Sequence, residues 1–406
     1  MRKAAYLATI AAIEPIEGKD RIKYITLKDL GWQVIGSSEL YVGQRVIYIE
    51  YDTIISENQP WAEFLRKRCY APKYKGFKIS AMKMAGKISY GLVLTPEEAG
   101  VSELSIVHAQ DGFDFSEILN VSTIDDAAEF DVKQKVTTKP MTKWQRFVKK
   151  YAYFIWKFFY YRKPEKNDFP SAVAIKTDET RIQNLSYLFE RHRGIPLYVT
   201  EKIDGQSATF SLYKNKFIIS SRNVKQYEEY YRKAIKELTP GNAMNLGKGN
   251  DFIHIACAYG LPKKMYDWLR IAQLDGITIQ GELAGPGIQK NKLRLNNNVL
   301  YIFNMFDPKN RQYFKWSSIE TFSTFSGIPH VPFKEYTTFK WNNISEIEEY
   351  VKENFVGTLY PVGQPREGLV FRKMPEDLSP YLPVAEHNMT GCFSFKVINP
   401  DFILNE

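Results

Sequence analysis

The stretch Tyr198-Val-Thr-Glu-Lys-Ile-Asp-Gly205 (YVTEKIDG) decides how this chain is read. Apolar and β-branched residues run into a Lys202-Ile203-Asp204-Gly205 turn. ATFSLY (208–213) and KFIISSRN (216–223) come next after short gaps, which predicts consecutive antiparallel strands. A K-x-D-G string alone is weak, because roughly one chain in ten of this size contains one by chance. The residues downstream of it change its weight. Ser221-Arg222-Asn223, Gly281-Glu282-Leu283, Glu367-Gly368-Leu369-Val370 and Lys396 come in order, each at a strand end or on a strand. Around them, YEEYYRKAIKEL reads as helix, as do IHIACAYGLPKKMYDWLRIA on either side of Pro262 and SEIEEYVKENF. ITIQGEL, VLYIFNMF, EGLVFRK and CFSFKVI read as strands, so the region is α+β, antiparallel sheets with flanking helices.

Upstream the pattern differs. ATIAAIEPI, RIKYITL, GWQVIG and QRVIYIEYD carry strand residues separated by Gly18, Gly31 and Gly43, and ISYGLVL (88–94) adds another. Several strands in about 95 residues predict a small barrel, with the OB-fold one candidate. At 406 residues the chain exceeds what one core usually organises, so two domains are expected. Hydrophobic residues at 44% and charged residues at 25% exclude a disordered or collagen-like chain. No run of about 18 apolar residues predicts a membrane span. Glu14 and Glu17 interrupt the N-terminal apolar stretch, which reads as a strand and not a signal peptide. Cys69, Cys257 and Cys392 lie far apart without metal-site or disulfide-framework spacing, which fits a reducing, cytoplasmic setting.

The net charge of +9 is local. Residues 132–167 hold eleven of the 55 basic residues and one of the 46 acidic ones, leaving 44 and 45 elsewhere. Residues 111–131 carry seven acids and no base. These adjacent blocks predict an OB-like domain over 1–110, a charged connecting segment over 111–167 and a second domain over 168–406. Within the basic block, Trp144, Phe147, Tyr151, Phe154, Ile155 and Phe158 recur at helical spacing. Three roles suit such an amphipathic helix: packing on a domain, gripping a nucleic-acid backbone, or lying in a membrane interface.

The ordered motifs resemble those of the covalent nucleotidyltransferase superfamily of ATP-dependent ligases and mRNA-capping enzymes. KIDG is similar to motif I, SRN to motif Ia, GEL to motif III, EGLVF to motif IV and SFKVIN to motif V. VLYIFNMF resembles the strand whose aromatic residue, here Phe303, stacks on the purine. IKTDETRIQN (175–184) and GELAGPGIQ (281–289) resemble features of RNA ligases with an N-terminal OB domain, as do GWQVI, VGQRVIYIEYD, FLRKRCY and GKISYGLVL in the first ninety-odd residues. The likeness covers about 1–100 and 168–406. DNA ligases and capping enzymes carry an OB domain after motif V. Lys396 lies ten residues from the end of this sequence, so the arrangement expected is that of the RNA ligases.

The resemblance implies three steps. Lys202 attacks the α-phosphate of ATP to give lysyl-AMP; AMP passes to an RNA 5′-phosphate; a 3′-hydroxyl displaces it. A free lysine has a pKa of about 10.4, so only about one in a thousand is nucleophilic at neutral pH, and a nearby cation is expected to lower that value. Asp204, Glu282 and Glu367 are expected around Mg2+ (or Mn2+), and Lys396 on the α-phosphate. Arg222 is expected on the ribose or incoming end, Arg181 and Asn184 on the nucleoside, and Glu201 on the adenine through its backbone. Each has a plainer alternative: Glu367 an exposed charge, Phe303 a core residue, Lys396 a surface lysine. Related ligases carry a second motif V lysine where this chain has Ser394, and Arg372 is the expected substitute.

The predicted function is RNA ligation in repair or nick sealing, with RNA ends or RNA-containing nicked duplexes as partners, by a monomer not inserted in a membrane. The alternatives are a DNA ligase, a GTP-using capping guanylyltransferase, or a non-catalytic nucleic-acid-binding protein. In the barrel, Lys73, Lys75, Lys78, Lys83 and Lys87 with Trp61, Phe64 and Tyr70 offer charge and stacking surface for a nucleic acid. If the segment over 132–167 grips RNA, neutralising Lys149, Lys150 and Lys157 flattens the salt dependence of RNA binding. An unchanged slope with a lower melting temperature identifies a packing helix instead.

Overall fold

The computed structural model describes residues 3–124, 168–177, 179–230, 250–353, 357–375, 379–383 and 392–405. The predicted aromatic-basic helix lies outside them. The chain divides into two compact units, Met1–Lys166 and Asn167–Glu406.

The first unit is built on β1 (Ala5–Ile16), β2 (Lys19–Leu27), β3 (Gln33–Ser37), β4 (Arg45–Ile49) and β10 (Leu92–Leu94), hydrogen-bonded in the order β10-β4-β1-β2-β3. Tyr90 N donates to Gln33 O at 3.0 Å and Ile35 N to Ser89 Oγ at 2.9 Å, which brings β3 against the approach to β10 and closes the barrel. This is the OB-fold strand order. Its interior is aromatic: the Trp32 ring lies 6.2 Å from Tyr48, 5.5 Å from Tyr51 and 5.8 Å from Tyr90.

Between β4 and β10 the chain builds β5 (Thr53–Ser56), β6 (Tyr70–Ala71) and β7 (Gly76–Ile79), then a hairpin of β8 (Met82–Met84) and β9 (Lys87–Ser89). A second sheet, β11-β5-β7-β6, recruits β11 (Val121–Thr123) from the stretch expected to be connector. The domain therefore extends past the boundary expected at 110. Gly112 N donates to Leu7 O, Leu7 N to Phe113 O, and Phe115 N to Ala5 O, while Phe115, Leu119 and Val121 join Leu7, Ile47 and Phe77 in one core. The acids of 111–117 obscured this, because the apolar residues between them are what fold. Trp61 packs on that core while partly exposed, Lys87 forms a surface ion pair with Glu14 at 3.0 Å, and Phe64 stays exposed.

The second unit holds two sheets. One has the order β12-β22-β21-β13-β20: β12 (Thr180–Arg181), β22 (Ser394–Ile398), β21 (Gly368–Lys373), β13 (Pro196–Lys202) and β20 (Phe333–Thr338). The other has β16-β15-β14-β17-β18-β19: β16 (Lys225–Tyr230), β15 (Lys216–Ser221), β14 (Gln206–Tyr213), β17 (Gly276–Ala284), β18 (Val299–Asp307) and β19 (Gln312–Tyr313). Helices Asp251–Ala258, Leu261–Ala272 and Trp316–Ser326 bury Ile255, Met265 and Phe322 in the core of the six-stranded sheet. Helix Ile344–Lys352 packs Ile347 and Val351 on the five-stranded sheet, beside Phe371 and Phe395 stacked at 4.9 Å. Tyr227–Tyr230, read from sequence as the start of a helix, is strand: Tyr227 pairs with Ile219 and buries its ring against Phe217, and that contact overrides the propensity of the run.

Phe115→Ala is expected to lower the unfolding free energy of the first unit by about 3–5 kcal/mol and to speed amide exchange in β1, as for a deleted core ring. Urea unfolding and hydrogen exchange measure both; a connector residue would change neither.

Candidate active site

The chain leaves the five-stranded sheet at the end of β13 and enters the six-stranded sheet at β14, and Lys202–Gly205 is the crossing. Ile203 is buried in the core of the six-stranded sheet and fixes the turn. Gly205 is demanded by space: a Cβ there would stand 2.5 Å from Leu283 O and 2.9 Å from Glu282 Cγ. Gly368 is pressed on the Val397 carbonyl in the same way. The glycines of the KIDG and EGLV strings thus let the turn close on β17 and β21 close on β22.

Strand alternation sorts the side chains. Cross-strand rows run Lys202–Gly368–Ile398, Thr200–Val370–Lys396 and Tyr198–Arg372–Ser394. Lys202, Arg372 and Lys396 therefore share one face, while Leu197, Val199, Leu369, Phe371, Phe395 and Val397 fill the core on the other. β12 runs parallel to β22 and sets Arg181 beside Lys396; Asn184 closes the 3-10 turn after it.

Lys202 Nζ lies 2.5 Å from Glu367 Oε1. Burial pushes the lysine pKa down, but the carboxylates of Glu367, Glu282 and Asp204 outweigh it and hold the amine above its ordinary value. The charged neighbours acting on Lys202 are the protein's own anions, and anions favour the ammonium; lowering its pKa, as expected from the sequence, takes an added cation. The carboxyls carry the converse strain. Burial, with Glu367 and Asp204 adding to it and Lys202 opposing, pushes Glu282 up to about 8; burial and then Glu367 raise Asp204. Arg222 acts on Glu282 and so belongs to the same cluster.

Glu367 Oε2 is buried with no hydrogen-bond partner among the described residues. An orphaned carboxylate oxygen in a set of three crowded carboxyls fits a hard divalent cation, which Asp204, Glu282 and Glu367 would hold. They do not form a closed cage: among the described residues no three His, Cys, Asp or Glu stand ready to hold a metal ion. The three-carboxylate set is therefore a partial shell, and Lys202 is the cation its members share. Magnesium is usually held by one or two carboxylates, with substrate phosphates and water completing its shell.

Phe303 is the extra residue of a β-bulge. Gln280 pairs with Asn304 and Gly281 with Ile302, leaving Phe303 unpaired and partly buried against the core, between two buried neighbours. Bulges re-aim side chains beside active sites. Two expectations are revised. Arg372 does lie directly across from Ser394, but its buried guanidinium pairs with Glu179 at 2.6 Å. It is neutralised there and anchors the 175–184 stretch instead of facing a phosphate. Glu201, expected to act through its backbone, gives its N–H to Pro332 O, and its buried carboxylate accepts from Thr358 Oγ1 and from Leu359 N at 3.1 Å.

A family model for RNA ligases matches residues 195–397, half of the chain, and an OB-fold domain model matches residues 5–96. The chain belongs to the RNA ligase family. No curated protein matches it. Among solved structures, Naegleria gruberi RNA ligase with PPi aligns at TM-score 0.70 and 21% identity, covering 100% of this chain and 99% of that one. A lysine-to-methionine variant of the same protein with AMP and Mn gives a TM-score of 0.70 at 21% identity, with the same coverage. At that identity the likeness is one of fold.

Three residues of this RNA ligase escaped the sequence reading. Lys290 and Lys292 act on the Asp204 carboxylate, carried by a loop whose Gln289 Nε2 donates to Gly205 O at 3.3 Å and whose Lys292 Nζ sits 3.3 Å from the centre of the Phe402 ring. Their position after the GELAGPGIQ string was the available signal. Tyr360 donates and accepts at the KIDG turn, and nothing in the sequence marked it. No helix among the described residues is long and apolar enough to cross a membrane.

The raised Glu282 value fixes a pH dependence. The folded ligase keeps a proton that the unfolded chain, with a carboxyl near 4.5, has already lost. In chelator, stability therefore falls as pH rises from about 4.5 toward 8. Thermal melts across that range are expected to show the decline, and Glu282→Gln to make it shallower, with Glu348, pushed up to about 7 by burial, supplying part of what remains.

Proposed function

We propose that this RNA ligase uses ATP to join RNA 3′-hydroxyl and 5′-phosphate ends through a lysyl-AMP intermediate on Lys202. The observation that carries the reading is the Lys202 ammonium, 2.5 Å from Glu367 and set among three carboxyls, on the same sheet face as Lys396. Glu367 is placed to receive the proton that Lys202 must lose. The freed amine attacks the α-phosphorus, forming the N–P bond as the bond to the bridging oxygen breaks and pyrophosphate leaves. Phe303 at its bulge stacks on the purine, while Arg181 and Asn184 border the nucleoside. Lys396 sets a fixed positive charge against the α-phosphate.

Asp204, Glu282 and Glu367 would hold a divalent ion, which would supply charge that disfavours the ammonium and offsets the charge growing on the phosphate. In the second step an oxygen of the RNA 5′-phosphate attacks the AMP phosphorus and the N–P bond breaks, returning Lys202. In the third, the 3′-hydroxyl attacks the 5′-phosphorus and AMP departs. Lys290, which acts on Asp204, would offer positive charge to a phosphate in place of the missing second motif V lysine. The barrel's exposed Phe64, with Lys67, Arg68 and Lys73 near it in sequence, offers stacking and charge to the RNA strand.

With α-labelled ATP and magnesium, the protein is expected to become labelled, and Lys202→Ala to abolish the label. GTP in place of ATP is expected to leave it unlabelled. RNA-containing nicks are expected to be sealed in preference to all-DNA nicks. Retained label in Lys202→Ala, or label with GTP alone, overturns the assignment.

A further inference from the structure

The segment Thr358–Tyr360 and the end of β13 grip each other. The Glu201 carboxylate accepts from Thr358 Oγ1 and from Leu359 N at 3.1 Å. In return, the Tyr360 hydroxyl accepts the Asp204 N–H at 2.9 Å and donates to the Lys202 carbonyl at 3.5 Å. One hydroxyl thus spans both ends of Lys202-Ile203-Asp204, and one donor with two acceptor sites satisfies both bonds. The ring is itself buried, 6.3 Å from Phe402 on the C-terminal helix Pro400–Leu404.

Past Tyr360 the chain turns at once. Pro361 restricts Tyr360 to extended backbone, Gly363 takes a φ of +81°, and Gln364 N returns to Pro361 O at 3.0 Å. A few residues on stands Glu367, the ion-pair partner of Lys202. The same short segment therefore holds the backbone of the lysine and delivers the carboxylate that touches its amine. Glu201 and Lys202 are neighbours on a strand, so their side chains point to opposite faces. The reactive lysine is held from in front by Glu367 and from behind by Glu201 acting through Tyr360.

We propose that Tyr360, locked by Glu201, is a positioning residue that sets the Lys202–Asp204 turn for attack on the α-phosphate. This rests on the adenylylation chemistry proposed for Lys202. The clamp touches backbone and not substrate, so its loss misplaces the nucleophile without removing any contact to ATP. Misplacement of a reacting group lowers the rate of the chemical step and leaves ground-state binding in place.

Tyr360→Phe keeps the ring against Phe402 and removes only the hydroxyl. Single-turnover adenylylation is expected to slow about tenfold, the size of one buried hydrogen bond, with ATP affinity within about twofold of the parent. The Asp204 amide is expected to exchange with deuterium faster, while exchange in the sheet cores is unchanged. Glu201→Gln is expected to slow the reaction as well, and the double variant to be no slower than the worse single one, since the two residues act as one unit. Parent-like rate or parent-like Asp204 exchange in Tyr360→Phe overturns the clamp, as does full additivity in the double variant. A parent enzyme that takes no label from ATP overturns the function instead, so the two failures are distinct.

Discussion

The second unit depends on one buried charge balance: a lysine ammonium shared by three carboxyl groups where two sheets meet. Neither side of the balance is stable alone. Without Lys202, Asp204, Glu282 and Glu367 would bring like charges together in a poorly solvated place, and the raised pKa values of Asp204 and Glu282 record how close that limit lies. Without the carboxyls, burial would push the Lys202 pKa below its ordinary value. Together they hold Lys202 as the ammonium, so the chemistry proposed for it would begin by upsetting the balance. A divalent ion and a nucleotide phosphate would do that by bringing charge of both signs to a cluster that otherwise neutralises itself.

Such a cluster needs a rigid frame, and the frame is backbone. The KIDG turn closes on β17 and β21 on β22 because Gly205 and Gly368 have no Cβ to hold them apart. The bulge leaves Phe303 unpaired and less buried than its neighbours on the strand. Arg372 and Glu179 neutralise each other in the sheet and hold the 175–184 stretch against it, so that Arg181 lies beside Lys396. A charge that looked catalytic by its place in the sequence therefore works as an anchor, because its partner arrives from almost two hundred residues upstream.

The barrel makes a related point about sequence spacing. Its five strands, apolar and β-branched runs with Gly18, Gly31 and Gly43 between several of them, were expected. Its second sheet was not, because β6 and β11 are two and three residues long, too short to show a period. β11 and Phe115 also sit among acids, so composition places the domain boundary ahead of the last core residues. Burial of Phe115 and Leu119 against β1 outweighs the charge around them.

Local order along the chain was enough to determine the class of this protein. Lys202, Arg222, Glu282, Phe303, Glu367 and Lys396 stand at strand ends or on strands, and such positions are legible because alternation and turn residues are encoded within a few neighbours. What the sequence could not yield was partnership. That Lys202 is held as a cation, that Arg372 is spent on Glu179, that Glu201 grips a segment more than 150 residues away and that Tyr360 reaches the lysine's backbone are all decided by which strands lie side by side. Pairing of that kind depends on sheet register and close approach between distant segments, and these are fixed only when the whole core packs.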